Sequence, residues 1–425
     1  MPNIGKSVLV DTFKGINNVL PDDKSVDGYL KELVNLDIDK NNNLFKRKGF
    51  VLRDSSSFHS LWSNENKTRM FAVRDGDLVE IKADSSYTTL VPSIGDSRVT
   101  YDEVDNIVYY TSRFKSGKIT NSVAGNWGIA VPNVIPSLLE ANGSMVKGSY
   151  QVTTTFETLD GRESGSLLAA VISVSDFSSI VVSNLPVSTD PEIAYVNIYV
   201  TLENGDNFNR IAKLPNGTTS YTISSVNFSD RPLETFNLSP APNGSIVKWA
   251  HGRLYVSQDN ILWWSEPYQY DHFDLRKNYY YFEEEITAIC PTPDGLWVSA
   301  DKIYYVAGKD PSSARLSEKE VAKVVLGSDV KFSGAYIFIE NTPLGYKWFV
   351  TTNKGIFVLF NDGVILNISE RNVSMPEAKS GASAFIQEDG INRYVSLLKE
   401  KQKSNNTAIG DMVTSTIIRN GITIE

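Results

Sequence analysis

The sequence predicts an all-β protein: a β-propeller of about six blades with an immunoglobulin- or fibronectin-like β-sandwich inserted into it. The first observation behind this is a repeat. Aromatic-rich segments recur at Met70-Phe71-Ala72-Val73, Val108-Tyr109-Tyr110, Leu254-Tyr255-Val256, Leu296-Trp297-Val298, Trp348-Phe349-Val350 and Tyr394-Val395-Ser396. The steps between their first residues are 38, 146, 42, 52 and 46. A period of ~40–50 residues built of strands marks a propeller blade. Setting aside the 103 residues 137–239 reduces the long step to 43 and restores the period. The second observation is composition: Tyr 20, Phe 19 and Trp 7 favour strands, because flat side chains pack well on a pleated surface. The third is turn chemistry, with Asp-Gly and Asn-Gly pairs between alternating runs.

Taken in order, residues 1–136 hold an N-terminal segment and the first blades. Asp22-Asp23-Lys24-Ser25 followed by Tyr29-Leu30-Lys31-Glu32-Leu33-Val34 predicts one short helix, with a polar start and an apolar face. A polar turn at 37–43 leads into a predicted strand at Leu44–Leu52. Hairpins follow, centred on Asp75-Gly76 and Asp105-Asn106. Residues 137–239 change character: Ser and Thr become frequent, Tyr150–Phe156 alternates, and turns recur at Asp160-Gly161, Asn204-Gly205 and Asn216-Gly217. Short strands between such turns predict a sandwich, and with no cysteine pair it is not antibody-like. Pro240-Ala241-Pro242-Asn243-Gly244 reads as a stiff linker closing it.

Residues 240–425 hold the remaining blades and the closure of the ring. Arg253–Val256 turns at Asp259-Asn260 into Ile261–Trp264, Gly295–Val298 turns at Asp301-Lys302 into Ile303–Val306, and Trp348–Val350 turns at Asn353–Gly355 into Ile356–Leu359. A further strand follows at Val364–Ile368. The last blade spans Ala384–Ile424, with turns at Asp389-Gly390 and Asn420-Gly421. An N-terminal strand is expected to pair with C-terminal ones, because an open ring exposes unsatisfied edges.

The bulk properties narrow the class. The 425 residues exceed one ordinary domain, and 41% hydrophobic with 21% charged residues is usual for a soluble globular chain. No apolar run reaches the ~18 residues of a membrane span, and Met1–Val10 lacks the apolar core of a secretory signal. The one cysteine, Cys290, excludes an internal disulfide or a cysteine-based metal cluster and reads as a buried thiol, which fits synthesis in the cytoplasm. Asn142, Asn216 and Asn243 match a glycosylation triplet but read as Asn-Gly turns. A net charge of −9 argues against a DNA-binding groove, and Lys46-Arg47-Lys48 is too small a basic cluster to provide one.

Catalytic chemistry is largely missing. His59, His251 and His272 have no histidine partner at helical spacing and read as surface or hydrogen-bonding residues. Asp37-x-Asp39-x-Asn41 opens like a calcium loop, but Asn42 and Lys48 stand where glycine and glutamate are required. It reads as a solvated turn. Glu283-Glu284-Glu285 could supply paired carboxylates for glycoside cleavage, but adjacent acids on a strand edge point to alternate faces. No phosphate loop, serine elbow or zinc spacing occurs, so no cofactor, metal or catalytic residue is expected. The aromatic cluster of Trp263, Trp264, Tyr268, Tyr270, Tyr279 and Tyr280 reads either as a sugar-stacking or partner patch or as packing between blades.

Several motifs resemble one family in their order along the chain. Phe13-Lys14-Gly15-Ile16-Asn17-Asn18, Val34-Asn35-Leu36-Asp37-Ile38-Asp39 and Phe45-Lys46-Arg47-Lys48-Gly49-Phe50 open it. Gly148-Ser149-Tyr150, Asp160-Gly161-Arg162-Glu163-Ser164-Gly165 and Val196-Asn197-Ile198-Tyr199-Val200-Thr201 continue it. His251-Gly252-Arg253-Leu254-Tyr255-Val256, Trp264-Ser265-Glu266-Pro267 and Tyr304-Tyr305-Val306-Ala307-Gly308-Lys309-Asp310-Pro311 complete it. The set resembles the tail hub, or nozzle, proteins of short-tailed bacteriophages, also called packaged-DNA stabilisation proteins. The resemblance implies a non-enzymatic virion tail protein that forms a homo-oligomeric ring, commonly a hexamer, below the portal and its adaptor. It also implies docking of tail fibres, spikes or a needle, and passage of genomic DNA without sequence-specific binding. An acidic channel wall would let phosphates slide. The competing expectations are a carbohydrate-active propeller enzyme or host-glycan-binding tail component, using Arg162-Glu163 or Glu283–Glu285, and a cellular propeller scaffold. The last lacks the expected Gly-His and Trp-Asp pairs.

Overall fold

The computed structural model describes residues 12–39, 41–49, 51–226, 231–332, 338–339, 342–343, 347–388, 391–400, 413–419 and 422–424. The chain is all-β, and among the described residues there is no α-helix. Six small sheets of four strands, each hydrogen-bonded in chain order, hold most of the described strand residues. In each of these sheets the recurrent aromatic-rich segment forms the second strand: Met70–Arg74, Ile107–Thr111, Arg253–Gln258, Gly295–Ser299, Lys347–Thr352 and Ile391–Glu400. In the first five of these sheets the second strand is flanked on both sides and buried on both faces over most of its length. Such strands read as continuous apolar runs rather than alternating ones. Ile391–Glu400 instead alternates, with Tyr394 and Leu398 buried and Leu397 exposed. All five residues of Gly295–Ser299 are buried, as are all six of Lys347–Thr352.

One compact unit comprises residues 58–258 and 262–280. Its first two sheets share a core in which Phe71, Val73 and Leu78 meet Tyr101, Val108 and Ile119. Rings of Trp62, Phe71 and Tyr101 stack at centroid separations of 5.7–6.0 Å. The second sheet packs in turn against the third, through Val104, Tyr109, Val247, Leu254 and Val256. Polar bonds fix the same seam: Trp249 donates its backbone N–H to Asp102 at 2.6 Å, and Thr111 and Gly244 bond in both directions at 2.9 and 3.0 Å.

Between the second and third sheets the chain forms two further sheets, of three and four strands. Ser137–Met145, Ser178–Ser183 and Ser220–Ile223 make the smaller; Ala169–Val174, Gly148–Thr158, Ile193–Val200 and Asn209–Pro215, in that order, make the larger. Met145, Ile180, Val182 and Ile223 from the first meet Tyr150, Val152, Ile198 and Val200 from the second in one core. The chain leaves and returns at one place. A Cβ on Gly128 would lie 3.2 Å from the Cα of Pro240 and 2.8 Å from the carbonyl oxygen of Asp271, so only glycine fits there.

The other compact unit comprises residues 1–57, 259–261 and 281–425. Among its described residues, three four-stranded sheets pack in chain order. Cys290, Trp297 and Tyr305 meet Trp348, Val350 and Phe357, and Trp297 donates its indole N–H to the Phe360 carbonyl at 2.8 Å. Phe349 and Val358 then meet Phe385 and Tyr394. The Tyr394 hydroxyl, fully buried, donates to the Ser328 carbonyl at 2.7 Å and lies 2.8 Å from the Thr351 hydroxyl. Cys290 is buried, as expected for an inert thiol.

Several expectations are corrected. Only a single 3-10 turn, Asp22–Lys24, replaces the predicted helix. Tyr29–Leu30 instead pairs in parallel with Gly15–Ile16, after Gly28 at φ +91° turns the chain out of helical geometry. The strand expected over Leu44–Leu52 ends at Lys46, where its partner Leu36–Ile38 runs out. Asn142-Gly143 is a bulge inside Ser137–Met145, and a Cβ on Gly143 would lie 2.5 Å from the Ser178 carbonyl oxygen. Asn243-Gly244 is also no turn: a Cβ on Gly244 would meet the Ser257 carbonyl oxygen at 2.2 Å. Both glycines serve close backbone approach. The acids Glu283-Glu284-Glu285 lie in a bend and the loop after it, not on a strand edge, and Glu284 pairs with Lys323 at 2.7 Å.

Among the described residues no N-terminal strand pairs with a C-terminal one, and the N-terminal segment meets the C-terminal region through single backbone and side-chain contacts. Asn18 accepts the Ser374 N–H at 2.7 Å and donates its own backbone N–H to the Asn372 carbonyl at 3.0 Å, while Val395 packs on the cluster of Ile16, Leu33 and Ile38. The solvated turn read from the sequence is found only around Asp39 and Asn41, where Asp39 Oδ1 accepts the N–H groups of Asn41 and Asn43 at 2.8 and 2.9 Å. Asp37 is instead buried in the strand Leu36–Ile38 and paired with Arg47 at 3.2 Å. The predicted turns at Asp389-Gly390 and Asn420-Gly421 lie outside the described residues.

Candidate functional site

The six aromatic residues singled out in the sequence fall into two groups. Trp263 and Trp264 share the strand Ile261–Trp264, and the strand Tyr279–Tyr281 carries Tyr279 and Tyr280. They pair as Trp263 with Tyr279 at 5.3 Å and Trp264 with Tyr280 at 5.0 Å, both tilted. Alternate strand residues face opposite sides, so the two pairs lie on opposite faces. Trp264 is buried and Tyr279 is exposed. These four are chiefly sheet packing.

Tyr268 and Tyr270 do something else. They lie in the loop after Trp264, and together with Lys118, Arg162, Glu163 and Asp271 they line an open cleft of about 570 Å³. Tyr268 has φ +58°, a left-handed conformation rare for a bulky residue. Its backbone N–H donates to the Gly252 carbonyl at 2.7 Å, and its ring lies flat enough on Gly252 that a Cβ there would come within 2.8 Å. Even so the residue is 78% exposed. Tyr270 is held on three sides: its carbonyl accepts the Trp127 indole N–H at 2.8 Å, its hydroxyl accepts that of Trp249 at 3.3 Å, and its ring meets Tyr109 edge-on at 6.1 Å.

The opposite wall is built on Glu157 and Glu163. Asn197 donates from one amide nitrogen to both carboxylates, at 2.7 and 2.8 Å. Glu157 also accepts from Lys213 at 2.6 Å and Arg210 at 3.3 Å, and Glu163 accepts the Tyr199 hydroxyl at 2.7 Å and pairs with Arg231. Burial raises the pKa of Glu157, but the bonds from Lys213 and Asn197 and the charges of Lys213 and Arg231 outweigh it and hold the carboxyl below its ordinary value. Burial, with the Glu163 charge beside it, drives the Tyr199 hydroxyl up. Arg162 bridges Asp160 at 2.9 Å and Glu192 at 3.1 Å. Lys118 meets Asp271 at 2.5 Å, and a ring nitrogen of His272 lies 3.1 Å from the Glu163 carbonyl.

Each of the three basic residues of the cleft, Lys118, Arg162 and Arg231, is therefore bonded to a carboxylate. Arg162-Glu163 was legible as a candidate pair; Lys118, Asn197, Tyr199 and Arg231 were not, because their partners lie 34 to 153 positions away and meet them only in the fold. The other histidines lie elsewhere. His59 sits in Phe58–Ser63 with its Nδ1 2.8 Å from the Ser60 hydroxyl, its pKa lowered by burial. His251 occupies the tight turn before Gly252 at φ +49°. No group of three or more metal-ligating side chains occurs among the described residues. No helix among them is long and apolar enough to cross a membrane.

No family model matches the chain, and no curated protein does. Among solved structures it is similar to BBS1N in its complex with ARL6DN, at 9% identity and a TM-score of 0.30, over 80% of this chain and 88% of that one. It is similar to Kluyveromyces lactis Hsv2 at 10% identity and a TM-score of 0.29, over 86% and 98%. The WD40 domain of SCAP from fission yeast matches at 9% identity and a TM-score of 0.25, over 86% and 73%. Scores of this size do not establish a common fold.

Proposed function

We propose that this chain is a structural protein of a short-tailed phage virion, a nozzle or hub subunit below the portal and adaptor. In this reading the six four-stranded sheets are blades of one propeller, and residues 137–239 are an immunoglobulin-like domain inserted after the second blade. The observation that carries it is the order of the family-like motifs on this framework: the opening motifs before the first sheet, the Asp160–Gly165 and Val196–Thr201 motifs in the interposed sheets, and His251–Val256 at the return. The close approach of Gly128 and Pro240 supports an insertion, since a domain spliced into a loop must leave and re-enter at neighbouring points. The larger interposed sheet also has the edge-to-edge order of an immunoglobulin C′-C-F-G sheet, with Ser137–Met145 and Ser178–Ser183 in the places of B and E.

The subunit would assemble as a homo-oligomeric ring, most simply a hexamer, through which genomic DNA passes without sequence-specific contact. The net charge of −9 favours sliding over adhesion. Its outer surfaces would dock fibres, spikes or a needle. We assign it no catalytic role: of the acids that could serve glycoside cleavage, Glu284 is tied to Lys323 and Glu163 to Arg231. Mass photometry of the protein with its portal–adaptor complex tests the proposal. A ring of six 47.2 kDa chains, about 280 kDa, bound to the adaptor is the expected species. A chain that stays monomeric with the adaptor present overturns it.

A further inference from the structure

We propose that the cleft beside Tyr268 is a binding site for a neutral oligosaccharide of about disaccharide size, with the Tyr268 ring as its stacking platform. Three independent features of the cleft point to that chemistry. The first is the platform. One face of the Tyr268 ring rests on Gly252, where any side chain would collide with it at 2.8 Å, yet the residue is 78% exposed. An aromatic ring backed by glycine on one side and open on the other can stack on the apolar face of a sugar ring without rearranging.

The second is backbone strain. Tyr268 is held at φ +58° by its own N–H bond to the Gly252 carbonyl, in a region a bulky residue avoids. Glycine or asparagine would fit the turn at lower cost, so the tyrosine is kept for its side chain. The exposure of that side chain means that packing does not explain it.

The third is charge. The cleft walls carry Lys118, Arg162 and Arg231 against Glu163, Glu234 and Asp271, three of each sign. Lys118 is paired with Asp271, Arg231 with Glu163, and Arg162 with Asp160 and Glu192. The balanced lining gives a cation no net attraction, and an entering anion would have to displace a carboxylate already bonded to Lys118, Arg162 or Arg231. A hydroxyl-rich neutral ligand need not: its hydroxyls can accept from the guanidinium edges and donate to the carboxylates while the pairs stay in place. The volume of about 570 Å³ lies in the ordinary range for small-ligand sites. The inference does not depend on ring assembly and stands or falls separately from it.

Saturation-transfer NMR on the full-length protein tests it, with maltose, lactose, cellobiose and N,N′-diacetylchitobiose as probes. At least one should show transfer, with a Kd of about 0.1–10 mM. Tyr268→Ala should weaken that binding at least about tenfold, while Tyr268→Phe, which keeps the stacking face, should retain it. Phe177→Ala removes another exposed aromatic at positive φ, outside the cleft, and should leave binding unchanged. Circular dichroism of each variant checks folding. No transfer from any of the four sugars at about 20 mM overturns the proposal. So does binding that survives Tyr268→Ala, or binding lost in Tyr268→Phe with the fold intact.

Discussion

The hydroxyl of Thr100 accepts the amide proton of Val247 at 3.0 Å, joining the second and third sheets across 147 residues of sequence. The same hydroxyl donates to the Ser245 carbonyl at 3.2 Å. Val247 is fully buried, so its N–H has no recourse to solvent. Thr100→Val keeps the shape and removes both bonds. It should cost about 1–3 kcal/mol, the penalty of an unsatisfied buried donor, read as a lower urea midpoint. An unchanged midpoint would show that the seam is held by its apolar core alone.

If the seam is self-sufficient, the chain between the sheets is dispensable for it. Replacing residues 129–239 with a short Gly/Ser linker should leave a folded protein, because Gly128 and Pro240 already touch. Near-UV circular dichroism from the Tyr109–Trp127–Phe273 aromatic packing reports on the result. A shortened chain that expresses only as a molten or insoluble species would contradict the insertion reading.

How much of this was legible in the sequence depends on the range of the interaction. The six aromatic-rich arms were found because strand burial leaves a local mark, a run such as Leu296-Trp297-Val298, and each proved to be a second strand. Turns such as Asp105-Asn106 were legible for the same reason: both residues have positive φ, at 52° and 62°. The helix at 22–34 failed because its apolar spacing is also compatible with Tyr29–Leu30 pairing to Gly15–Ile16, and a partner strand is invisible in local periodicity. Asn142-Gly143 and Asn243-Gly244 misled because glycine marks close approach as well as turning. The cleft was half visible. Its two tyrosines stood out by composition, whereas its ion pairs, such as Lys118 with Asp271, are tertiary.

Glu157 should make stability fall in acid. Its folded-state pKa lies below the ordinary 4.5, so its contribution is complete above that value and is lost as pH falls through the lower folded one. Glu157→Gln removes the charge that Lys213 and Arg210 face. We expect a loss of about 1–3 kcal/mol at pH 7 that shrinks as pH falls below the ordinary value of 4.5. Parallel urea titrations of both proteins across this range are the check, and a pH-independent difference would refute the electrostatic account.

At the N-terminus, Asn18→Ala removes the side-chain acceptor of the Ser374 N–H. Asn17 reaches the same loop through its amide, 3.3 Å from the Asn372 side-chain oxygen. With both substituted, amide exchange in residues 15–18 should quicken by about tenfold or more, since about one to two kcal/mol of local stability is removed. Equal exchange rates in the double variant would mean that Ile16 packing with Leu33 and Val395 suffices to hold the segment.

Lys347 presents the opposite case, a buried charge that the fold tolerates. It is fully buried, its ammonium lies 5.6 Å from the Phe332 ring centre, and burial pulls its pKa from 10.5 down to about 8. Between those values the unfolded chain binds the proton more tightly than the folded one. Stability should therefore rise as pH climbs from about 8 to 10.5, and the penalty is complete below 8. Lys347→Met matches the length of the stem without the charge. It should stabilise the protein by about 1–3 kcal/mol at pH 7, with the gain fading as pH rises from about 8 to 10.5. Thermal melts at neutral and alkaline pH measure this; a variant that melts lower at pH 7 would show that the Lys347 ammonium is held by contacts stronger than its cost of burial.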